Sequence, residues 1–383
     1  MSEQTFIGLD VHARSVRAAL LDGLTGEVRN LEAPVPTARL VQWICAQPAP
    51  QAVAYEAGPT GYVLARALKQ AGVRCTVAAP SRILRAPGER VKTDRRDALK
   101  LARLLRLEEL VAVRVPDLIE EAARDLVRAR EDARIDLMRA RHRLSKLLLR
   151  RGIVWQQATW SAAHERFLRR QRFAEAPLQL AYGEALATMF AARDRRDALE
   201  AAIAQEAAKE PWAAVVARLC CLRGISTLTA FALAAEIGDW RRFSGRGLAA
   251  FLGLVPSEES SGESRRLGAI TRTGNGHLRR LLIEAAWQQR RAPGAGLRVR
   301  QARVAAPAAV RERARLCERR LHRRWRRFDE RGKRANVAAV AVARELAGWC
   351  WSVALMDEQR PPEIGGDEAS APDRGREHPR ACY

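Results

Sequence analysis

Residues 4–78 constrain the fold of this chain more tightly than any other stretch. Three short apolar runs follow one another at 4–11, 15–21 and 27–31, separated by His12-Ala13-Arg14 and by a turn running from Asp22-Gly23 to Gly26. Runs this short, rich in Val, Ile, Leu and Phe and bounded by turn formers, are predicted to be strands of an antiparallel meander. The period then changes. Leu40, Val41 and Ile44 recur at helical spacing within 37–46, and the pattern predicts a strand over 51–55, a helix over 62–71 and a strand over 73–78. A meander followed by β-α-β alternation specifies a mixed sheet, because parallel neighbours require a crossover.

That order is the order of a ribonuclease H-like sheet, and it gives two acids a common position. Asp10 ends the apolar run Phe6-Ile7-Gly8-Leu9, and Glu56 ends Ala52-Val53-Ala54-Tyr55. The first and fourth strands of such a sheet can lie side by side, which brings the two strand ends together. Downstream, Lys92-Thr93-Asp94-Arg95-Arg96-Asp97-Ala98 carries two carboxylates three residues apart on a predicted helix, where both point the same way. Asp-x-x-Asp alone is common on solvated helix faces, and Arg95, Arg96 and Lys100 offer it ready partners. Joined to two strand-end acids it completes a set of hard oxygen donors suited to Mg²⁺ and to two-metal phosphodiester chemistry. Asp10, Glu56, Asp94 and Asp97 are therefore the candidate catalytic and metal-binding residues.

Charge points to the same substrate class. The 383 residues hold 67 Lys and Arg against 44 Asp and Glu, a formal net charge of +23, which favours a polyanionic partner such as nucleic acid. The seven cysteines form no Cys-x-x-Cys pair and no zinc spacing, so they are read as reduced. The N-terminus lacks the pattern of a signal peptide, and the apolar stretch 335–356 is interrupted by Arg344 and Glu345, which predicts a buried helix and no membrane span. A cytoplasmic, nucleoid-associated protein is expected.

The rest of the chain reads as mainly α. Residues 117–210, rich in Ala, Leu, Arg and Glu with few breakers, predict a long antiparallel helical pair of coiled-coil type. In 211–356, Leu222-Arg223-Gly224-Ile225-Ser226 between two apolar helical stretches suggests a helix-hairpin-helix whose turn could offer amides to phosphate, an ordinary helical hairpin being the other reading. Residues 257–268 are polar, small and basic and read as an exposed loop. Asn275 and its flanking glycines open a helix whose outer face carries Arg279 and Arg280, in position either for phosphate or for simple capping. Residues 311–334 hold twelve Arg or Lys against four Asp or Glu, with Trp325 and Phe328 placed to stack on bases or to pack. The stretch 357–383 has no periodicity and is expected to be disordered.

Two blocks of motifs in this order resemble the insertion-sequence 110 transposases, also grouped with the 116 and 902 elements. The first is Ile7-Gly8-Leu9-Asp10, Tyr55-Glu56-Ala57 with Gly61-Tyr62, and Lys92-Thr93-Asp94 with Asp97-Ala98. The second is Gly224-Ile225, Phe251-x-Gly253-Leu254-x-Pro256, Ser261-Gly262, Arg266-x-Gly268 and Leu278-Arg279-Arg280. The resemblance implies a RuvC-like catalytic domain at 1–110, a helical coiled-coil region at 117–210 and a transposase domain at 211–356. It implies that Asp10, Glu56, Asp94 and Asp97 hold Mg²⁺, that Ser261 is the nucleophile, and that Gly224, Arg265, Arg266, Asn275, Arg279 and Arg280 lie along nucleic acid. It further implies DNA as substrate, a bridge RNA as guide, and a homo-oligomer, dimer or tetramer, in which the acids of one subunit meet the serine of another. Arg223 and Ser226 depart from the Pro and Gly usual around the hairpin glycine, and Ser260 stands beside Ser261. The competing reading is a RuvC-like structure-specific nuclease without a serine intermediate.

Overall fold

The computed structural model describes residues 4–83, 93–261 and 264–356, with the backbone alone at 261 and 265. Lys92, Gly262 and the expected disordered tail lie outside the described residues. The chain divides into two compact units between Asp117 and Leu118.

The first unit is a five-stranded sheet with helices on both faces. Its elements are β1 (Thr5–Val11), β2 (Val16–Asp22), β3 (Val28–Ala33), α1 (Thr37–Cys45), β4 (Gln51–Glu56), α2 (Val63–Gln70), β5 (Arg74–Ala78) and α3 (Asp94–Arg106). The strand order is β3-β2-β1-β4-β5, antiparallel across β1, β2 and β3 and parallel across β1, β4 and β5. Alternation along the strands sorts the core into two layers. Ile7, Leu9, Val53 and Tyr55 face Leu40 and Ile44 of α1 and Leu64 and Leu68 of α2. Phe6, Ala52 and Ala54 face Leu101, Ala102 and Leu105 of α3. The small residues on that second face let α3 approach the strand backbone itself. A Cβ built on Gly8 would lie 1.9 Å from the Ala98 carbonyl oxygen and 2.6 Å from the Ala102 nitrogen.

The second unit holds α4 (Leu118–Leu149), α5 (Ala162–Arg170), α6 (Ala176–Glu206), α7 (Ala213–Cys220), α8 (Thr227–Ile237), α9 (Gly245–Phe251), β6 (Pro256–Ser261), β7 (Ser264–Ile270), α10 (Gly276–Trp287), α11 (Leu297–Ala305), α12 (Ala308–Glu330) and α13 (Ala335–Ala354). Helices α4 and α6 form the expected antiparallel pair, since Arg130 reaches Glu200 while Leu144 packs near Tyr182 and Met189. Leu137, Ala140, Leu144 and Leu148 make the buried stripe of α4 at the 3–4 spacing of a helix seam. The pair is not continuous, because 150–175 carries α5, whose Leu168 closes the small core at that end. Nor does the pair stand apart from the helices C-terminal to it. Val127 and Ile203 belong to the same buried cluster as α8, α10 and α13, and Arg124 donates to the Ala235 and Glu236 carbonyls at 2.8 and 3.2 Å, satisfying the end of α8.

Helix α13 is the one helix among the described residues long and apolar enough to cross a membrane, and half of its apolar window is buried inside this unit. Trp325, a candidate for base stacking by sequence, is fully buried, its ring 5.4 Å from that of Trp287. The loop expected over 257–268 is instead the hairpin β6–β7, pairing Glu259 with Arg266 and Ser260 with Arg265. Both faces of that hairpin are polar, so it lacks the apolar alternation that announces a strand.

Candidate active site

A tight turn and one helix start bring Asp10, His12 and Asp94 of the first unit together, with Glu56 at the adjoining strand end and Asp97 in the same first helical turn. Leu9 of β1 stands opposite Tyr55 of β4 in parallel register, so Asp10 and Glu56 are the next residues at adjoining strand ends. By the alternation of the strands both belong to the face that α3 covers. Thr93 caps α3, its side chain accepting from the Arg96 amide, and the first turn of the helix carries Asp94 and Asp97. The positive end of a helix favours carboxylates there.

The His12 amide donates to the Ser15 carbonyl at 2.9 Å, a turn that folds the imidazole back over the strand end. Its Nε2 lies 3.4 Å from Asp10 Oδ1 and 3.9 Å from Asp94 Oδ2. Asp10, His12 and Asp94 thus offer three ligand atoms within 4.8 Å of one another, a group that could hold a metal ion. Burial pushes the Asp10 carboxyl up; His12 pulls it down, and the charges of Asp94 and Asp97 push it up again, leaving it raised. A carboxylate crowded by two others calls for a cation. Two carboxylates and a borderline nitrogen donor fit a divalent metal, with Asp97 close enough to act on Asp10 electrostatically and Glu56 at the adjoining strand end. His12 was not among the residues singled out from the sequence, although its place two residues after Asp10, at the start of the turn that follows the strand, was the available signal.

In the second unit, Ser261 ends β6 opposite Ser264. The neighbouring Ser260 donates its hydroxyl to Glu258 at 2.9 Å. The base of this hairpin is tied down by backbone contacts. Gly274 (φ +67°) sits where a Cβ would lie 1.9 Å from the Phe251 carbonyl oxygen, and at Gly253 (φ +64°) a Cβ would lie 2.4 Å from the Thr273 carbonyl oxygen. Arg279 donates to the Leu252 and Thr273 carbonyls at 3.0 and 2.8 Å, and Asn275 caps α10 by accepting from the Leu278 amide at 3.0 Å. Arg280 pairs with Glu131 and Glu284, each at 2.6 Å. Arg266 is exposed on β7.

Gly224 adopts φ +85° and backs onto α10, where a Cβ would meet the Ala285 carbonyl oxygen at 2.4 Å. The hairpin glycine and Arg280 line one cavity of about 350 Å³ together with Arg130, Arg134 and Ser226. The two departures around that glycine have structural partners. Arg223 donates to the Ala292 carbonyl at 2.8 Å and pairs with Glu318 at 3.2 Å, and Ser226 caps α8 through the Thr229 amide.

Comparison with known proteins adds an independent line. A family model described as "Transposase IS116/IS110/IS902 family" matches residues 216–300, and a DEDD transposase model of IS110 type, described as "Transposase", matches residues 7–151. The y4qE protein of Sinorhizobium fredii, which carries a transposase name, is 40% identical over 363 residues, covering 93% of this chain and 90% of its own length. The transposase for insertion sequence element IS1533 of Leptospira borgpetersenii is 31% identical over 344 residues, covering 87% of this chain and 99% of that protein.

Proposed function

The chain belongs to the IS116/IS110/IS902 family of transposases, and from that premise we propose that its first unit is a ribonuclease H-like catalytic domain in which Asp10, Glu56, Asp94 and Asp97 hold Mg²⁺, with Ser261 as the nucleophile. The observation that supports the metal site is the meeting of Asp10, His12 and Asp94 within 4.8 Å, at a strand end where β4 also terminates in Glu56. Bound Mg²⁺ supplies neutralisation of the charge that builds on the phosphodiester oxygens. The carboxylates orient that charge sink, and His12 braces Asp10 and Asp94. The Ser261 hydroxyl attacks phosphorus, forming an Oγ–P bond as the P–O bond to the sugar breaks; the Oγ proton leaves, and the departing sugar oxygen takes up a proton. The phosphoserine ester keeps the energy of the broken bond, so a strand hydroxyl can displace the serine and rejoin DNA without an external energy source.

The same reading takes DNA ends and target as substrates, a bridge RNA as guide, a dimer or tetramer of this chain as the working form, and the nucleoid in the cytoplasm as the place of action. The excess of 67 basic over 44 acidic residues supports the nucleic-acid partners.

The test is strand cleavage of DNA carrying the element's ends, with covalent adducts resolved on denaturing gels. Asp10→Asn should cut at least about 100-fold more slowly while still binding DNA. Ser261→Ala should form no protein–DNA adduct, and Ser260→Ala should behave nearly as wild type. An adduct lost only in Ser260→Ala would move the nucleophile by one residue. Cleavage that survives both serine substitutions without any adduct would favour the structure-specific nuclease.

A further inference from the structure

A groove of about 740 Å³ opens in the second unit among the start of α9, the middle of α12 and one face of α13. Its floor is small. Gly245 and Gly348 bring α9 and α13 together, a Cβ on Gly348 standing 3.5 Å from the Gly245 carbonyl oxygen, and Ala341 continues the floor along α13. Its rim is cationic. Arg246 and Arg344 are exposed there, and neither makes an ion pair among the described residues. The one carboxylate in the lining, Glu345, is already shared by Arg320 and Arg324 at 2.5 and 3.1 Å. On the wall, the Arg313 guanidinium lies 5.0 Å over the Trp349 ring and is held there by donating to Ser352 Oγ at 2.9 Å.

We propose that this groove binds a single-stranded segment of nucleic acid, with Arg246 and Arg344 on its phosphates and the Arg313–Trp349 pair as the platform for a base. Arginines at a cleft that make no ion pair among the described residues match a phosphodiester backbone, and a guanidinium held 5.0 Å over an indole ring joins a cation to an aromatic surface suited to a base. A duplex keeps its base faces inside, so it cannot use the platform that seats a single strand against Arg246 and Arg344. The size of the groove is that of a ligand cleft, within about 300–1,000 Å³. The inference rests on the reading that this chain handles nucleic acid, and it is independent of the acids and of Ser261.

Fluorescence anisotropy with the full-length protein tests it, using labelled oligo(U), oligo(dT) and a mixed-sequence duplex of equal length over a range of KCl concentrations. The double variant Arg246→Ala/Arg344→Ala should bind single strands about 10-fold more weakly. Its slope of log affinity against log salt should flatten by about 1.4, two phosphate contacts at about 0.7 each, with duplex affinity nearly unchanged. Weakening on both polymers assigns the groove to any single strand, and weakening on only one assigns it to that polymer. Photo-cross-linking of 5-bromouridine oligonucleotide to the wild-type protein should label Trp349. Equal loss on duplex and single strand would overturn the single-strand assignment. Unchanged affinity and slope in a double variant whose wild-type parent binds single strands would overturn the groove itself, and a wild-type protein that binds no nucleic acid would overturn the parent reading as well.

Discussion

Gly8 sets how near α3 can come to the sheet that carries Asp10. With the Ala98 carbonyl oxygen 1.9 Å from where a Cβ would stand, any side chain at this position pushes the helix away from the strand. The obstacle is backbone, which cannot rotate aside as a side chain can, so Gly8→Ala should cost about 3 kcal/mol, the upper end of what overpacking costs. Urea melts measure that loss, and cleavage should fall further than the unfolded fraction explains, because Asp94 and Asp97 ride on the displaced helix. Gly183 is the control. Nothing lies within 4 Å of a Cβ added there, and Gly183→Ala within α6 should stabilise by about 0.5–1 kcal/mol. If the two substitutions melt alike, the close approach at Gly8 is not what holds α3. At this scale the positions of Asp10 and Glu56 near strand ends and of Asp94 at a helix start were legible because the pattern announces those elements, whereas His12 lies in a turn whose curvature the sequence does not specify.

Among the elements, the sheet was legible and the hairpin β6–β7 was not. Strands β1 and β4 are buried apolar runs, and β5 ends in the buried pair Val77-Ala78, so their order follows from composition and spacing. The hairpin is held by backbone pairing between polar strands, which leaves no periodic trace in the residues. Glu318 on α12 shows a second kind of element-level bond, invisible from spacing. It accepts from the Gly294 amide at 2.8 Å and pairs with Arg303 at 2.9 Å and Arg223 at 3.2 Å, joining α11, α12 and the hairpin before α8. Burial alone would raise this carboxyl, but the Gly294 amide and the two guanidiniums hold it below the usual 4.5. A carboxyl lowered by folding contributes stability that is fully present above its unfolded value and is lost as pH falls through the lower folded value. Glu318→Gln should therefore be about 3 kcal/mol less stable than wild type at pH 7, with the gap closing below pH 4.5. Parallel loss of stability in both proteins from pH 6 to pH 3 would remove Glu318 from that role.

Over the whole molecule, two of the buried clusters lie in the first unit and two in the second, so each unit has a core of its own. Leu68→Ala empties a fully buried site in the first and Leu282→Ala one in the second, each at about 2–5 kcal/mol. Scanning calorimetry should show each substitution lowering one transition and leaving the other in place; a single transition that moves with either would deny the separate cores. The chain divides after Asp117, where the sequence pattern changes, and contacts distant in sequence such as Arg124 to Ala235, which spacing alone does not announce, join the helices on either side of residue 210. Separate cores also govern how copies of such a gene decay. A chain that has lost Asp10 or Asp94 would keep its second core, and with it the serine hairpin and the arginine-rimmed groove. On the function proposed above, it would still occupy nucleic acid without cutting it, so a worn copy would compete with the intact one before it fell silent.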